Sequence, residues 1–309
     1  MNRPLPLVRL LERRTRALKR HLAAAIVGKD TGVHQARVAS RRLREALPVL
    51  TVGLHGTKRG KAERKIRRLT QALGTVRELD VTLHLIDELA ERAGVPRAAL
   101  ADVRAQVIED REGRRAVMKD RLKTVDTGKL GRRLASAREA LMHPTEDHNW
   151  RAVLASRIAH RARRLQHAID HAGQVYAAES LHEVRIAAKK LRYALEIADE
   201  SGAAPCSAAL RTIKRLQDAL GRLHDLQVLQ HHVGIVSASH RRASDAGLGV
   251  LSRHIEDECR HLHGRYIAMR PRVLEAVESA RRDVTVRLTA RRRAAKMSLA
   301  PRRAAAQGR

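Results

Sequence analysis

The chain has 309 residues and carries 63 lysines and arginines against 33 acidic residues, which gives a formal net charge of +30 at pH 7. Aromatic residues make up 1% of it and Phe is absent, so the core must consist of Leu, Ala, Val and Ile, which disfavours a β-sandwich and favours packed helices. Cys206 and Cys259 form no C-x-x-C pair, which excludes a disulfide scaffold and fits a reducing, cytoplasmic compartment.

The positive charge indicates a polyanionic partner, because self-repulsion on this scale opposes compaction of the free protein. Nucleic acid, an anionic membrane surface and an inorganic or organic polyphosphate all fit this charge. A compositional origin stays open as well, because an arginine bias of the genome can place many exposed cations that bind nothing specific.

The first residues, "MNRPLPLVRLLERRTR", contain no clean apolar segment, because Arg9, Glu12 and Arg13 interrupt it. No uninterrupted apolar run elsewhere in the chain reaches about 18 residues. We therefore expect neither a signal peptide nor a membrane span.

Helical periodicity runs through most of the chain, and breakers divide it into roughly eight to ten helices, which predicts an all-α fold. The breakers are expected near Gly28–Gly32, Gly53–Gly60, Gly94–Pro96, Thr127–Gly131, His143–Pro144, Gly202–Pro205, Gly247–Gly249 and Pro271.

The first predicted helix carries three arginines at helical spacing, namely Arg13, Arg16 and Arg20. A segment of the second half has the same pattern, with Arg157, Arg161 and Arg164. Each set could form an additional basic wall beside a binding site. A simple solvated helix face explains these arginines equally well.

The next segment, Val33–Leu50, separates a cationic stripe from a packing face. At about 100° per residue, the stripe falls within one sector of roughly 80° and consists of His34, Arg37, Arg41 and Arg44. Its cations repel one another by a few tenths of a kcal/mol per pair, and few acids interrupt them. A compensating anion therefore explains the stripe better than solvation does.

The segment "IRRLTQALGTVRELDV", Ile66–Val81, predicts a helix that packs through Leu69, Leu73 and Val76. Gly74 is expected in its middle, where glycine costs about 1 kcal/mol relative to alanine and a close helix approach would explain it. Asp80 falls on the packing face, so we expect it to be buried and paired with an arginine. Arg77 flanks this face and could extend the basic surface.

Both segments recur in the second half. "LHEVRIAAKKLR", Leu181–Arg192, follows "VHQARVASRRLR", Val33–Arg44, by 148 positions, and its stripe consists of His182, Arg185, Lys189 and Arg192. "IKRLQDALGRLHDLQV", Ile213–Val228, follows its own counterpart by 147 positions, with Gly221, His224 and Gln227 in place of Gly74, Arg77 and Asp80.

The repeat predicts a duplicated helical unit. The first copy spans about 5–143, the second spans about 147–290, and residues 291–309 form a basic, frayed tail. In the second copy, Ser180-x-x-Glu183 matches a capping box, which places His182 in the first helical turn. Free N–H groups and the helix dipole make such a turn an anion site.

On these residues the sequence resembles the conserved histidine α-helical domain (CHAD) family. The matching pieces are "VHQARVASRRLREAL", "LHEVRIAAKKLRYALE" and the two "ALG" helices with "RELDV" and "HDLQV", and the resemblance covers most of residues 5–290. It implies two tandem, pseudo-symmetric halves like four-helix bundles, with a basic groove or cavity on the symmetry axis. It also implies binding of inorganic polyphosphate and association with polyphosphate granules.

The resemblance implies polyphosphate contacts in both copies: His34, Arg37, Arg41, Arg42 and Arg44 in the first, and His182, Arg185, Lys189, Lys190 and Arg192 in the second. The role of Lys190 rests on the resemblance alone, because it projects about 100° away from Lys189. The family's usual "RDxD" reads "RELD" and "HDLQ" here, which puts local pairing in doubt more than the binding surface. Many relatives carry a triphosphate-processing CYTH domain, and we expect no such catalytic module here, since few residues precede position 5.

The leading hypothesis is therefore non-enzymatic polyphosphate binding without a cofactor or metal, and the oligomeric state stays open. A basic nucleic-acid-binding helical protein is the alternative, although one Trp, three Tyr and no Phe leave few stacking platforms. A metal or catalytic role is third, because His167 and His171 are spaced i, i+4 but no H-E-x-x-H motif occurs.

Overall fold

The structure is a computed structural model that describes residues 6–52, 57–143, 149–239 and 245–288. All regular secondary structure within these ranges is helical, which confirms the all-α prediction. The helices are α1 (Pro6–Ile26), α2 (Asp30–Leu50), α3 (Thr57–Ala72), α4 (Gly74–Ala90), α5 (Arg97–Lys123), α6 (Thr127–Met142), α7 (Trp150–Ala172), α8 (Ala178–Glu200), α9 (Ser207–Ser239) and α10 (Asp245–Ser279), and a π-helical turn, Ala280–Val284, follows α10. None of the described helices has the length and apolar composition needed to cross a bilayer.

The packing of the helices places the two stripe-bearing helices together. Helix α1 lies along α2, α7 lies along α8, and α9 packs between α8 and α10. Helix α4 joins α5 to α9, and α2 contacts α8 directly. The contact between α2 and α8 therefore brings both cationic stripes into one region of the molecule.

A continuous aliphatic core supports this arrangement. Leu43 and Leu47 of α2, like Leu191 and Leu195 of α8, have no exposed surface, which confirms the packing faces inferred from the helical periodicity. The core extends without interruption from α1 to the end of α10. The division into two four-helix-bundle-like halves stays a prediction, and its boundary near residues 143–147 and the tail at 291–309 fall largely or wholly outside the described residues.

One predicted breaker is wrong, because Pro271 lies within α10. Three others lie next to helix boundaries but extend into the helix that follows, since Gly60 belongs to α3, Thr127 begins α6 and Gly247 lies within α10. Tertiary packing outweighs local propensity at these positions. At Gly247 a Cβ atom would lie 3.4 Å from the Cβ of Ala99, so the glycine permits a close approach of α10 to α5.

The expectation for the glycines of the two "ALG" segments is also wrong. Gly74 does not lie in mid-helix, since Leu73 separates α3 from α4 and Gly74 is the first residue of α4. Gly221 does lie within α9, but a Cβ placed on it would meet no described atom within 4 Å. Close helix approach therefore does not explain Gly221.

The capping-box prediction is wrong by one turn. Helix α8 begins at Ala178 after the N-cap residue Ala177, so Ser180 is already helical and makes no cap. His182 is consequently the fifth residue of α8, and His34 is likewise the fifth residue of α2. Both histidines lie beyond the free N–H groups of the first turn, and the dipole argument for an anion at these imidazoles weakens accordingly.

Asp80 is buried and paired with an arginine, as its position on the packing face predicts. Its Oδ1 accepts a hydrogen bond of 2.7 Å from Nε of Arg111 in α5. The same guanidinium donates from Nη2 to Oδ2 of Asp30, in the first turn of α2, at 2.6 Å. One half-buried arginine thus ties α4, α5 and the start of α2 together.

We expect Arg111→Ala to lower the free energy of unfolding by about 3 kcal/mol, because the change leaves a buried carboxylate without its partner. Asp80 is 5% exposed and Arg111 is 13% exposed. The matched control is Arg104→Ala, also in α5, whose pair with Asp87 is about half exposed and should be worth less than about 1 kcal/mol. Urea denaturation followed by circular dichroism measures both, and equal losses would contradict this role for Arg111.

Candidate functional site

Four inner members of the two stripes form one group, which we call the cationic cluster: Arg37 and Arg41 of α2, and Arg185 and Lys189 of α8. The guanidinium carbon of Arg41 lies 5.9 Å from the ring centroid of Tyr193 in α8, so the side chain reaches across to the neighbouring helix. The nearby charges of Arg41 and Arg37 lower the pKa of Lys189, so cations of the two helices lie close together.

Part of the positive charge of the cluster is not paired with a carboxylate among the described residues. Nε of Arg37 and Nε of Arg185 are buried and have no hydrogen-bond partner in the described part of the chain. Burial, followed by the charge of Arg41, lowers the pKa of Arg37 to about 10. Burial also lowers the pKa of Arg185, although the carboxylate of Asp225 opposes this shift.

Of the four cluster residues, Lys189 has the pKa that burial and the neighbouring positive charges lower most. Burial, and then the charges of Arg185, Arg41 and Arg37, lower the pKa of Lys189 from 10.5 to about 7. The amine is therefore close to half-neutral at neutral pH in the free protein. A bound anion would restore the ammonium form, because an opposite charge nearby favours the charged state.

The outer members of the stripes differ from the cluster because they already have carboxylate partners. Glu196 of α8 lies between Arg192 and Arg42, which is a neighbour of the α2 stripe, and its oxygens are 3.3 Å from the Nε atom of each arginine. Arg44 pairs with Glu45 at 3.1 Å. Acidic side chains thus form ion pairs at the ends of the stripes, whereas the cations at the centre have acidic groups nearby but no such pair among the described residues. Lys190 is exposed and points away from the cluster, and its backbone carbonyl accepts a hydrogen bond from Arg161.

The two stripe histidines border the cluster in their neutral form. Burial, and then Arg77 and Arg37, lower the pKa of His34. Burial, and then His224 and Arg185, lower the pKa of His182. The rings of His182 and His224 lie 5.0 Å apart, centroid to centroid. Neutral imidazoles can each donate one hydrogen bond to an anion.

A pocket of about 430 Å³ opens beside these imidazoles, between α4, α5, α8 and α9. His182 and His224 line it together with Glu78, Asp110 and the buried His232. None of the four cluster residues is among the residues that line this pocket, and its mixed charges make it less cationic than the cluster itself.

Sequence reasoning missed two acidic residues that face the site. Glu78 and Asp225 occupy equivalent positions in "RELD" and "HDLQ", next to Arg77 and His224. Nε2 of His224 lies 3.7 Å from Oε1 of Glu78, an ion-pair distance rather than a hydrogen bond, and this proximity lowers the pKa of Glu78. Burial raises the pKa of Asp225. The shared acidic position within the repeat was the signal that could have revealed both residues.

Most arginines of the predicted basic wall either pair with glutamates outside the cluster or are exposed on α1 and α7. Arg13 pairs with Glu200 at 2.7 Å, while Arg161 and Arg157 approach Glu45 at 2.6 Å and 3.9 Å. The remaining three are exposed on α1 and α7, namely Arg16, Arg20 and Arg164. Arg77 and His224 lie near the cluster, where their charges act on His34 and His182 respectively.

An unpredicted pair of contacts links the two helix pairs reciprocally. Arg14 of α1 donates to the backbone carbonyl of Arg42 and to Glu200 of α8. Arg161 of α7 donates to the backbone carbonyl of Lys190 and to Glu45 of α2. Each arginine thus donates one hydrogen bond to the stripe helix that packs against its own helix and another to the stripe helix of the other pair. These contacts fix the distance between the two halves of the cluster.

Among the described residues, no group of three or more His, Cys, Asp or Glu side chains is arranged to hold a metal ion. His167 and His171 are exposed on α7, with parallel rings 6.5 Å apart.

Comparison with known proteins gives a family and a fold. The sequence profile of the CHAD domain matches residues 9–234, a span that includes the whole cationic cluster. A crystal structure of the CHAD domain from the plant Ricinus communis is 23% identical and has a TM-score of 0.58, with 89% of this chain and 90% of that chain covered. A search of curated proteins found no significant match.

Proposed function

Because the chain belongs to the CHAD domain family, which is associated with polyphosphate binding, we propose that it binds inorganic polyphosphate through the cationic cluster of α2 and α8. The observation that carries this proposal is the convergence of four cations from α2 and α8. Neither Arg37 nor Arg185 has a carboxylate within ion-pair distance among the described residues, and the Nε–H group of each is buried without a partner there. Buried donors of this kind are costly unless an acceptor fills the site. A phosphate oxygen is a suitable acceptor for both.

A linear polyphosphate suits the shape as well as the charge of the site. Each stripe runs about 15 Å along its helix, so several consecutive phosphates can lie along it. Guanidinium groups form strong, charge-assisted hydrogen bonds to phosphate oxygens. The outer arginines that pair with Glu196 and Glu45 contribute long-range attraction more than direct contacts.

Nucleic acid remains the alternative, but the aromatic side chains give it little support. Tyr193 is 6% exposed and Tyr266 is 1% exposed, so neither can stack on a base. Trp150 is partly buried and lies against the guanidinium of Arg151. Tyr176 alone among the tyrosines is well exposed, at 39%. A sequence-tolerant single-strand binder normally offers several stacking platforms.

Calorimetric titrations at several salt concentrations test the proposal. We expect the logarithm of the polyphosphate association constant to fall with a slope of about −3 to −4 against log salt, since four cations of the cluster release counterions. A single-stranded DNA of equal charge should compete poorly at about 0.15 M salt. Displacement of polyphosphate by equimolar DNA would favour the nucleic-acid alternative.

We propose that binding leaves the polymer intact, so orthophosphate release with or without Mg²⁺ should stay at background. We also propose that the protein associates with polyphosphate granules in the cytoplasm. Fluorescence imaging of the tagged protein should then show foci that disappear in cells without polyphosphate, and diffuse signal in both strains would exclude the granule role.

A further inference from the structure

The turn between α1 and α2 exposes two aliphatic side chains at one corner of the molecule. Ile26 ends α1 and is 45% exposed, and Val27 follows it at 67% exposure. Backbone hydrogen bonds of 3.0 Å run from the amides of Gly28 and Lys29 to carbonyls in the last turn of α1. This pattern is a Schellman motif, and Gly28 supplies its left-handed residue with a φ of +81°. An ordered turn therefore holds Ile26 and Val27 in contact with solvent.

The apolar surface of this corner continues into a groove between α1 and α6. The groove has a volume of about 470 Å³, and its aliphatic lining consists of Leu18, Leu22, Ile26, Leu130 and Leu134. Single exposed aliphatic residues are normal on protein surfaces, whereas a continuous apolar patch with a polar rim marks an interaction surface. The exposed pair and the groove beside it form such a patch.

Lysines surround this apolar patch. Lys19 lines the groove, and Lys29 follows the exposed turn. In α5, the Cε atom of Lys119 lies 3.3 Å from the position that a Cβ atom on Gly28 would occupy. All three lysines are exposed, and none has an ion pair with a carboxylate in the described part of the chain. Their charges are therefore available to an anionic partner.

The choice of lysine distinguishes this corner from the cationic cluster. Only 12 of the 63 basic residues are lysines, and five of the 12 lie here: Lys19, Lys29, Lys119, Lys123 and Lys129. Lys123 lies one turn beyond Lys119, and Lys129 follows Gly128, which lines the groove. A guanidinium is suited to bidentate contacts with a single phosphate, whereas an ammonium group is a point charge on a flexible stem. The lysines therefore suit a surface of diffuse negative charge.

We propose that this lysine corner, formed by Ile26, Val27 and the five lysines, docks on the surface of an anionic lipid bilayer. Ile26 and Val27 enter the boundary between headgroups and acyl chains, and the lysines lie at the level of the lipid phosphates. Lysine stems can extend over apolar surface while their ammonium groups stay in water. Buried aliphatic area and attraction between cations and anionic lipids both strengthen such binding.

The exposed aliphatic pair is the reason to choose a bilayer over other polyanions. Polyphosphate and the phosphate backbone of nucleic acid offer charge but no apolar phase that could take up Ile26 and Val27. A second copy of the chain would offer apolar surface, but it carries the same formal charge of +30 and is repelled. The lysine corner contains no residue of the cationic cluster, so this proposal does not rest on polyphosphate binding.

Sedimentation with vesicles tests the contribution of the aliphatic pair. The full chain should bind vesicles of phosphatidylcholine with about 30% phosphatidylserine at about 0.15 M salt. I26S/V27S should lower the association constant at least about tenfold, because less apolar area is buried. The matched control is V175S, which changes a valine that is 78% exposed in the turn before α8 and should lower it less than about twofold.

Two triple variants separate the lysine corner from net charge. K19A/K29A/K119A should lower the association constant at least about tenfold. R211A/K214A/R215A removes three exposed cations from α9 and should lower it less than about threefold. Equal losses in the two variants would overturn the proposal, and so would a loss confined to R37A/R41A/R185A/K189A. Neither result affects the proposed polyphosphate site, which titration without vesicles measures separately.

A fluorophore at the exposed turn shows whether the aliphatic pair enters the bilayer. Cys206 and Cys259 are buried, so a maleimide derivative of nitrobenzoxadiazole labels V27C selectively in the folded chain. Its emission should rise with anionic vesicles and be quenched by lipids with brominated acyl chains, whereas labelled V175C should show neither change. Unchanged V27C emission on bound vesicles would overturn the proposal. A rise with protein concentration alone would assign the surface to a second copy and overturn it as well.

Discussion

Replacing Arg37, Arg41, Arg185 and Lys189 together by alanine should weaken polyphosphate binding at least about a hundredfold at 0.15 M salt. Each charged contact to phosphate contributes about 1.5–3 kcal/mol when it is made in a desolvated site, and the four contributions are not additive. The slope of log affinity against log salt should also become shallower by about 3. Titration calorimetry of the wild type and the variant measures both effects.

A matched control separates the cluster from net charge. The variant R67A/R68A/K214A/R215A removes four exposed cations from α3 and α9 and changes the net charge by the same amount. We expect it to weaken binding less than about threefold, since exposed charges outside the site act only through screened attraction. Equal losses in both variants would show that binding depends on charge and not on the cluster.

Polyphosphate affinity should rise as pH falls, and Lys189 should cause most of the change above pH 7. Its pKa is about 7 in the free protein, and a bound polyanion raises that pKa, so binding takes up a proton between about pH 7 and 9. The expected affinity at pH 8.5 is about tenfold lower than at pH 7. Below pH 7, protonation of His34 and His182, whose pKa values burial lowers, should strengthen binding further.

The variant K189R tests this assignment, because arginine stays charged over the whole interval. Its affinity should vary less than about twofold between pH 7 and 8.5, while the increase below pH 7 persists. Calorimetry in two buffers of different ionisation enthalpy measures the proton uptake directly. A wild-type affinity that is constant from pH 7 to 8.5 would show that Lys189 does not respond to the ligand.

Much of the fold followed from amphipathic patterns. Leu43 and Leu191 are buried because their sequence spacing places them opposite the stripe, and Asp80 is buried because it shares a face with leucines. Helix ends were harder to predict, since Ser180 and Gly74 have local signals that packing overrides. Local propensities of about 1 kcal/mol decide little in a core of this size.

The sequence predicted where the cations lie along α2 and α8, but it did not predict which of them form ion pairs with carboxylates. Helical projection identified the stripes, but it could not show that Glu196 lies within ion-pair distance of Arg42 and Arg192. Nor could it show that Arg37 and Arg185 have no carboxylate at such a distance among the described residues. That difference depends on how α2 and α8 face each other, which is a tertiary property. The lowered pKa of Lys189 has the same origin, because three arginines from two helices act on it.

The central claim, that the guanidinium groups of Arg37 and Arg185 hold the phosphates, can be tested by NMR of the arginine Nε–H signals. With single Arg→Lys variants for assignment, addition of polyphosphate should first shift the signals of Arg37 and Arg185. The signals of Arg67 and Arg68, which are exposed on α3, should stay unchanged. Shifts confined to exposed arginines, with Arg37 and Arg185 unaffected at saturation, would contradict the claim.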